Sequence, residues 1–170
     1  MRKRVFIVLL AMGVAAVLSA QTKFSAKEKC GKADQDYGVP VGDQAGHVMM
    51  LSHVKCAWSE GEIAGAKMEI SEDTFTGEVH DGTSSDRGYA VVDVAGGDKA
   101  FVRFEGKTSL KDQKPVDGKG TWSFIGGTGK LKGIKGKGTY QGKYDAEGVG
   151  SFDIEGEYTL PAAKAAKPAK

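Results

Sequence analysis

Lys135-Gly-Lys-Gly-Thr-Tyr-Gln-Gly-Lys-Tyr144, then Asp145-Ala-Glu-Gly148, then Val149-Gly-Ser-Phe-Asp-Ile-Glu-Gly-Glu-Tyr-Thr-Leu160 decides the fold class. In the first segment Gly138, Tyr140, Gly142 and Tyr144 share one face, and Lys137, Thr139, Gln141 and Lys143 share the other. In the second, Phe152, Ile154, Gly156, Tyr158 and Leu160 oppose Ser151, Asp153, Glu155, Glu157 and Thr159. Side chains that alternate with period two belong to strands with one dry and one wet face. The Asp-Ala-Glu-Gly step between them is turn chemistry, so the pair predicts a hairpin. Its wet faces place Lys137 opposite Glu155 or Glu157, a pairing worth a few tenths to about 1 kcal/mol.

Working outward, strands recur at intervals of about ten residues, the spacing of an all-β sandwich or barrel. Eight are expected, at 47–58, 62–70, 74–80, 88–94, 99–107, 119–125, 135–144 and 149–160. Turns fall between them, among them Ser71-Glu72-Asp73, Asp81-Gly82-Thr83 and Ala95-Gly96-Gly97-Asp98. No stretch sustains a helical period over three turns. Residues 21–46 are polar and broken by Gly31, Gly38, Pro40 and Gly42, which reads as an irregular arm with one helical turn near residues 26–29. The reading is a single antiparallel eight-stranded barrel of calycin-like size; a sandwich fits the pattern nearly as well. Interleaved Gly120, Trp122 and Phe124, and then Gly138, Tyr140, Gly142 and Tyr144, favour the barrel. Large and small side chains alternate to fill a narrow interior, and glycine lets a closing sheet bend.

The first 20 residues read as a secretory signal: Arg2, Lys3 and Arg4, an apolar run from Val5 to Val17, and Leu18-Ser19-Ala20 before Gln21. The run is shorter than the ~20 residues a membrane-crossing helix needs. Cleavage after Ala20 is expected, leaving no transmembrane span and a periplasmic or secreted product. Neither cysteine follows the signal directly, which disfavours a lipid anchor. Residues 161–170 hold only Pro, Ala and Lys and read as a disordered tail. The whole chain has 24 basic and 22 acidic residues. Three basic residues leave with the signal and three more sit in the tail, so the folded part is net acidic, 18 against 22. Nucleic acid is therefore excluded as the expected partner.

Cys30 and Cys56 remain, and in an oxidising compartment a disulfide is the simplest expectation, worth about 3 kcal/mol in the chain-entropy model. Free thiols or a redox pair are the alternatives; the lack of a Cys-x-x-Cys spacing argues against a thioredoxin-like motif.

The segment Trp122-Ser-Phe-Ile-Gly-Gly-Thr-Gly-Lys-Leu-Lys-Gly-Ile-Lys-Gly136 resembles the penultimate-hairpin region shared by plant allene oxide cyclases and dirigent proteins. The resemblance implies an eight-stranded antiparallel barrel, with this chain an exported bacterial member. Its motif turn is Gly126, Gly127, Thr128 and Gly129, with Leu131 placed to cap the barrel end. It does not carry an activity across. The allene oxide cyclase site uses a glutamate, an asparagine and a cysteine, and this chain has no asparagine. Dirigent chemistry relies on aspartate and arginine; Asp86, Asp93, Arg87 and Arg103 are present but do not align residue by residue.

No catalytic or metal-binding constellation stands out, and no cofactor is expected. Gly126-Gly-Thr-Gly-Lys130 fails as a phosphate loop, since Phe124 stands where a glycine is needed and Leu131 where Ser or Thr is needed. His47, Met49, Met50 and His53 evoke a copper site, but an extended strand holds the two histidines about 20 Å apart. His80 with Asp81, Asp86 and Arg87 forms a polar loop cluster without a nucleophile. The reading therefore leans from an enzyme toward an exported barrel, either a carrier of a small hydrophobic ligand or an envelope-associated structural module. Phe104, Trp122, Phe124, Tyr140, Tyr144 and Phe152 are the candidate interior ligand-binding residues. A cyclase or isomerase using His80 or Glu78 in an apolar cavity is one alternative. A module binding glycans or an anionic envelope surface through Lys130, Lys132, Lys135, Lys137, Lys143 and the tail is another.

Overall fold

A computed structural model describes residues 21–161. The strands are β1 (Thr22–Cys30), β2 (Gln35–Pro40), β3 (Val48–Glu60), β4 (Glu62–Ile63), β5 (Ala66–His80), β6 (Thr83–Val94), β7 (Lys99–Lys111), β8 (Lys114–Gly127), β9 (Lys135–Tyr144) and β10 (Gly150–Thr159). One 3-10 turn, Gly129–Leu131, links β8 to β9. The expected signal segment, residues 1–20, and the expected tail beyond Pro161 lie outside the described residues.

Neighbouring strands pair antiparallel from β5 through β10, β10 pairs with β1, and β1 pairs with β3. The sheet closes because β3 also pairs with β5, from Val48 opposite Val79 to Ala57 opposite Ile70. The result is a closed antiparallel barrel of eight strands, β1, β3 and β5 to β10. Closure removes the free edges that an open sheet would expose.

The eight are not the eight read from the pattern. Residues 62–70 and 74–80 do not form separate strands: most of that stretch is one continuous strand, β5, in which Ser71-Glu72-Asp73 runs straight through instead of turning. The missing strand comes from the supposed irregular arm. Residues 22–30 are extended, with no helical turn near 26–29, and Phe24, Ala26, Glu28 and Cys30 point inward. The polar letters of the arm concealed this alternation because its wet face is Lys23, Lys27 and Lys29. β2 extends the arm along β3 beyond the end of β1, from Gln35 opposite His53 to Pro40 opposite Val48.

Cys30 stands directly opposite Cys56 in the β1–β3 pair, and the two are joined in a disulfide. Replacing Cys30 with Ser is expected to lower the melting temperature by roughly 5 °C in the absence of reductant, since the unfolded chain regains the freedom that the cross-link removes. Equal melting of the wild type with and without reductant would refute this.

The barrel has one sealed and one open end. At the sealed end Ile63, Met68, Val94, Leu131 and Ile134 are essentially inaccessible. Tyr158 belongs to this plug, and its hydroxyl accepts a hydrogen bond of 3.0 Å from the Ala64 N–H. Of the expected motif turn, Gly126 and Gly127 are the last residues of β8, and Thr128 with the 3-10 turn that follows closes the same end. Thr128 Oγ1 accepts the Lys99 N–H at 2.8 Å, and Asp98 Oδ2 accepts the Lys130 N–H at 3.0 Å. The backbone donor that a phosphate would need is thus already taken by a carboxylate. Leu131 caps the end as its position after the turn implied.

On the outer wall Lys137 lies opposite Glu157, and Lys23 reaches the same glutamate at 3.9 Å. Part of the lysine face is in this way matched by acid.

Candidate functional site: an acidic, aromatic-walled cavity

The interaction of glycine with aromatic residues on the inner face sets the shape of the interior. Trp122 in β8 has Gly138 as its cross-strand neighbour in β9, and Gly138 in turn faces Gly156 in β10. A Cβ on Gly156 would stand 2.7 Å from the Trp122 ring. The indole lies in this glycine bed and donates from Nε1 to the Glu155 carbonyl at 3.1 Å. Tyr140 repeats the arrangement over Gly120 and Gly106, where an added Cβ would stand 2.6 and 2.2 Å from its hydroxyl. Edge-to-face contacts then tie the rings together, Trp122 with Phe124 at 4.9 Å and Tyr144 with Phe152 at 5.5 Å between centroids.

These rings do not fill the barrel. A cavity of about 770 Å³ remains, within the range of pockets that take drug-sized molecules. Phe104, Trp122, Phe124, Tyr140, Tyr144 and Phe152 all line it. It reaches the open end, where the loops carrying Lys32, Ala45, Gly46, Asp81, Asp112 and Gly148 surround the mouth.

The cavity also holds carboxyls that sequence reasoning missed. Glu28 on β1, Asp73 on β5 and Asp86 on β6 line its wall, and Asp36 on β2 lies nearer the mouth. Two of them are served by hydroxyls. Thr108 Oγ1 donates to Asp86 Oδ2 at 2.7 Å, Ser84 Oγ donates to Asp86 Oδ1, and Ser52 Oγ donates to Asp36 Oδ1 at 2.6 Å.

Glu28 and Asp73 differ. Asp73 Oδ1 is buried with no hydrogen bond of full geometry, as are Ser71 Oγ and Trp58 Nε1, although the Ser71 hydroxyl is near enough to act on the Asp73 carboxyl. Asp73 Oδ2 lies 4.0 Å from the Cys56 sulfur, which is in a disulfide and has no proton to give. Burial pushes the Asp73 carboxyl up to about 6, with the Ser71 hydroxyl and His53 pulling weakly the other way. Burial likewise holds the Glu28 carboxyl well above the usual range, and the charge of Asp73 adds to the effect. What surface these two side chains keep faces the cavity. Burial also raises the Tyr140 and Tyr144 phenols, which stay protonated donors at neutral pH.

Glu28 has an oxygen within 4.8 Å of both Cys30 and Cys56 sulfurs, but bonded sulfurs offer no thiolate, so this trio cannot serve as a metal site.

Of the histidine–methionine group and the polar loop cluster, Met50, Asp81 and Asp86 line the cavity and the histidines do not. His47 bonds Asp43 at 2.7 Å and Glu78 at 3.1 Å, and His53 bonds Asp34 at 2.6 Å, each histidine with its own carboxylates. His80 Nδ1 is 3.3 Å from Asp81, and neither His80 nor Glu78 lines the cavity. Arg87, Arg103 and Asp93 sit on the outward-facing positions of their strands, leaving Asp86 alone of that quartet inside.

No family model matches the chain, and no curated protein matches it significantly. Among solved structures the chain is similar to the pterocarpan synthase dirigent protein GePTS1, at 9% identity and a TM-score of 0.48, over 93% of this chain and 100% of that one. A likeness at this level carries nothing about activity or substrate; the barrel rests on the strand pairing described above.

Proposed function

We propose that the protein is exported and that its barrel carries one small, largely apolar ligand. The observation that carries this reading is the cavity: about 770 Å³, aromatic-walled, sealed at one end, open at the other, with polar atoms left unpartnered in its wall. A module with only a structural role has no use for such a void, since unfilled core volume costs about 24 cal/mol per Å³. The disulfide suits an oxidising compartment. The lysine face supports a glycan-binding role less well, because Glu157 lies against Lys137 and Lys23.

Native mass spectrometry of protein purified from its own host tests this. The expected spectrum shows a 1:1 adduct that disappears on denaturation in organic solvent. A bare protein mass, together with no uptake of a fluorescent hydrophobic probe, would end the carrier reading. One observation favours a second reading, an isomerase or cyclase: Glu28, its carboxyl held well above the usual range by burial, lines the cavity between Trp58 and Phe152 and is placed to exchange a proton with a bound compound. Under that reading the bound compound is released chemically altered; under the first it is recovered unchanged.

A further inference from the structure

The cavity wall is chemically one-sided. Its inward carboxyls are Glu28, Asp73 and Asp86, with the exposed Asp36, Asp81 and Asp112 toward the mouth. Among the described lining residues Lys32 is the one basic side chain, and it lies exposed on the loop after β1. Aromatic rings flank the deepest of these acids: Glu28 has Trp58 as its neighbour across the β1–β3 pair and Phe152 across the β1–β10 pair. Asp73 supplies a buried oxygen that makes no hydrogen bond of full geometry within the protein.

We propose that the ligand is an organic cation, a protonated amine on a compact apolar body, with its ammonium at Glu28 and Asp73 and its body against Trp58, Phe104, Tyr140 and Phe152. The proposal rests on the ligand-carrying reading and names the class of molecule carried.

Three physical points support it. An ammonium gives Asp73 Oδ1 the donor it lacks, in a charge-assisted bond stronger than a neutral one. Aromatic faces beside the carboxyls attract a cation through their quadrupoles, more strongly where water is displaced. A wall of like-charged acids with no inward base repels an anion of the same shape, so selectivity comes from repulsion as well as attraction. A neutral donor such as an alcohol can reach the unpaired carboxyl oxygen but leaves the field of the acids uncompensated.

The test uses three molecules with one body: 2-naphthylmethylamine, 2-naphthalenemethanol and 2-naphthoate, titrated calorimetrically into the whole mature protein at neutral pH. The amine is expected to bind at least tenfold more tightly than the alcohol, with the carboxylate weakest. Glu28→Gln and Asp73→Asn are each expected to weaken the amine roughly tenfold and leave the alcohol within about twofold. The wild-type ranking stands independently should a variant fail to fold. If the alcohol or carboxylate binds as tightly as the amine, the cation proposal is wrong while the carrier reading survives. If all three fail to bind and no host ligand is found, both fall together.

Discussion

Replacing Asp73 with Asn raises the melting temperature at about pH 7.5 by roughly 5 to 10 °C and leaves it nearly unchanged near pH 4. Asp73 is held up to about 6 in the folded protein against 3.8 for an ordinary aspartate. The folded state therefore binds the proton more tightly than the unfolded state. Its contribution is fully present below about pH 4 and is lost as pH rises through about 6. A shift of this size corresponds to roughly 3 kcal/mol at pH values above both values. Asparagine has the same shape and no charge to desolvate, and its amide can still pair with the neighbouring Ser71 hydroxyl. Glu28 and Tyr140 interact with Asp73 across the interior, and His53, on the neighbouring strand β3, is the basic group that acts on it. Adding Glu28→Gln is expected to raise the melting temperature further, since its carboxyl is shifted the same way for the same reason. Thermal melts of the wild type and variants from about pH 4 to pH 8 decide the matter. Parallel curves, with no gain appearing above about pH 6, would show that Asp73 is not a desolvated acid.

The second large effect lies in the glycine bed. Gly138→Ala is expected to cost about 3 to 4 kcal/mol and lower the melting temperature by roughly 10 °C. A Cβ at Gly138 would stand 1.8 Å from the Glu155 carbonyl oxygen and 2.7 Å from the Gly156 Cα, both of them backbone. No rotamer relieves such a clash, so β9 and β10 must separate where Trp122 donates to that same carbonyl. The control is Gly31→Ala, whose Cβ would meet nothing closer than 3.7 Å and is expected to change stability by less than about 0.5 kcal/mol. Urea denaturation of the two variants gives the comparison, and equal midpoints would mean that the sheet spacing yields at Gly138.

The contrast between these two sites explains what could be read from the sequence. Period-two alternation made β9 and β10 legible to within a residue or two of their ends, and the glycine–aromatic interleaving pointed to closure. Both signals come from burying apolar side chains, and they fail where the interior is polar. Asp73 between Glu72 and Thr74 looks like a turn, because a carboxylate in a strand's inward position is costly and therefore rare. Glu28 between Lys27 and Lys29 looks like a solvated arm for the same reason. The count of eight strands came out right only because splitting β5 in two compensated for overlooking β1. One signal was available: Phe24, Ala26, Glu28 and Cys30 recur at every second residue. Reading it required accepting a charged residue among inward positions, the kind of local inconsistency that marks functional sites.

The pairing of β1 with β10, from Thr22 opposite Tyr158 to Cys30 opposite Gly150, governs how the chain can reach its final state. The first strand to leave the ribosome has no complete set of neighbours until the last has been made. A chain of this topology cannot close its barrel before β10 is available, so the slowest contacts to form are those that join strands furthest apart in sequence.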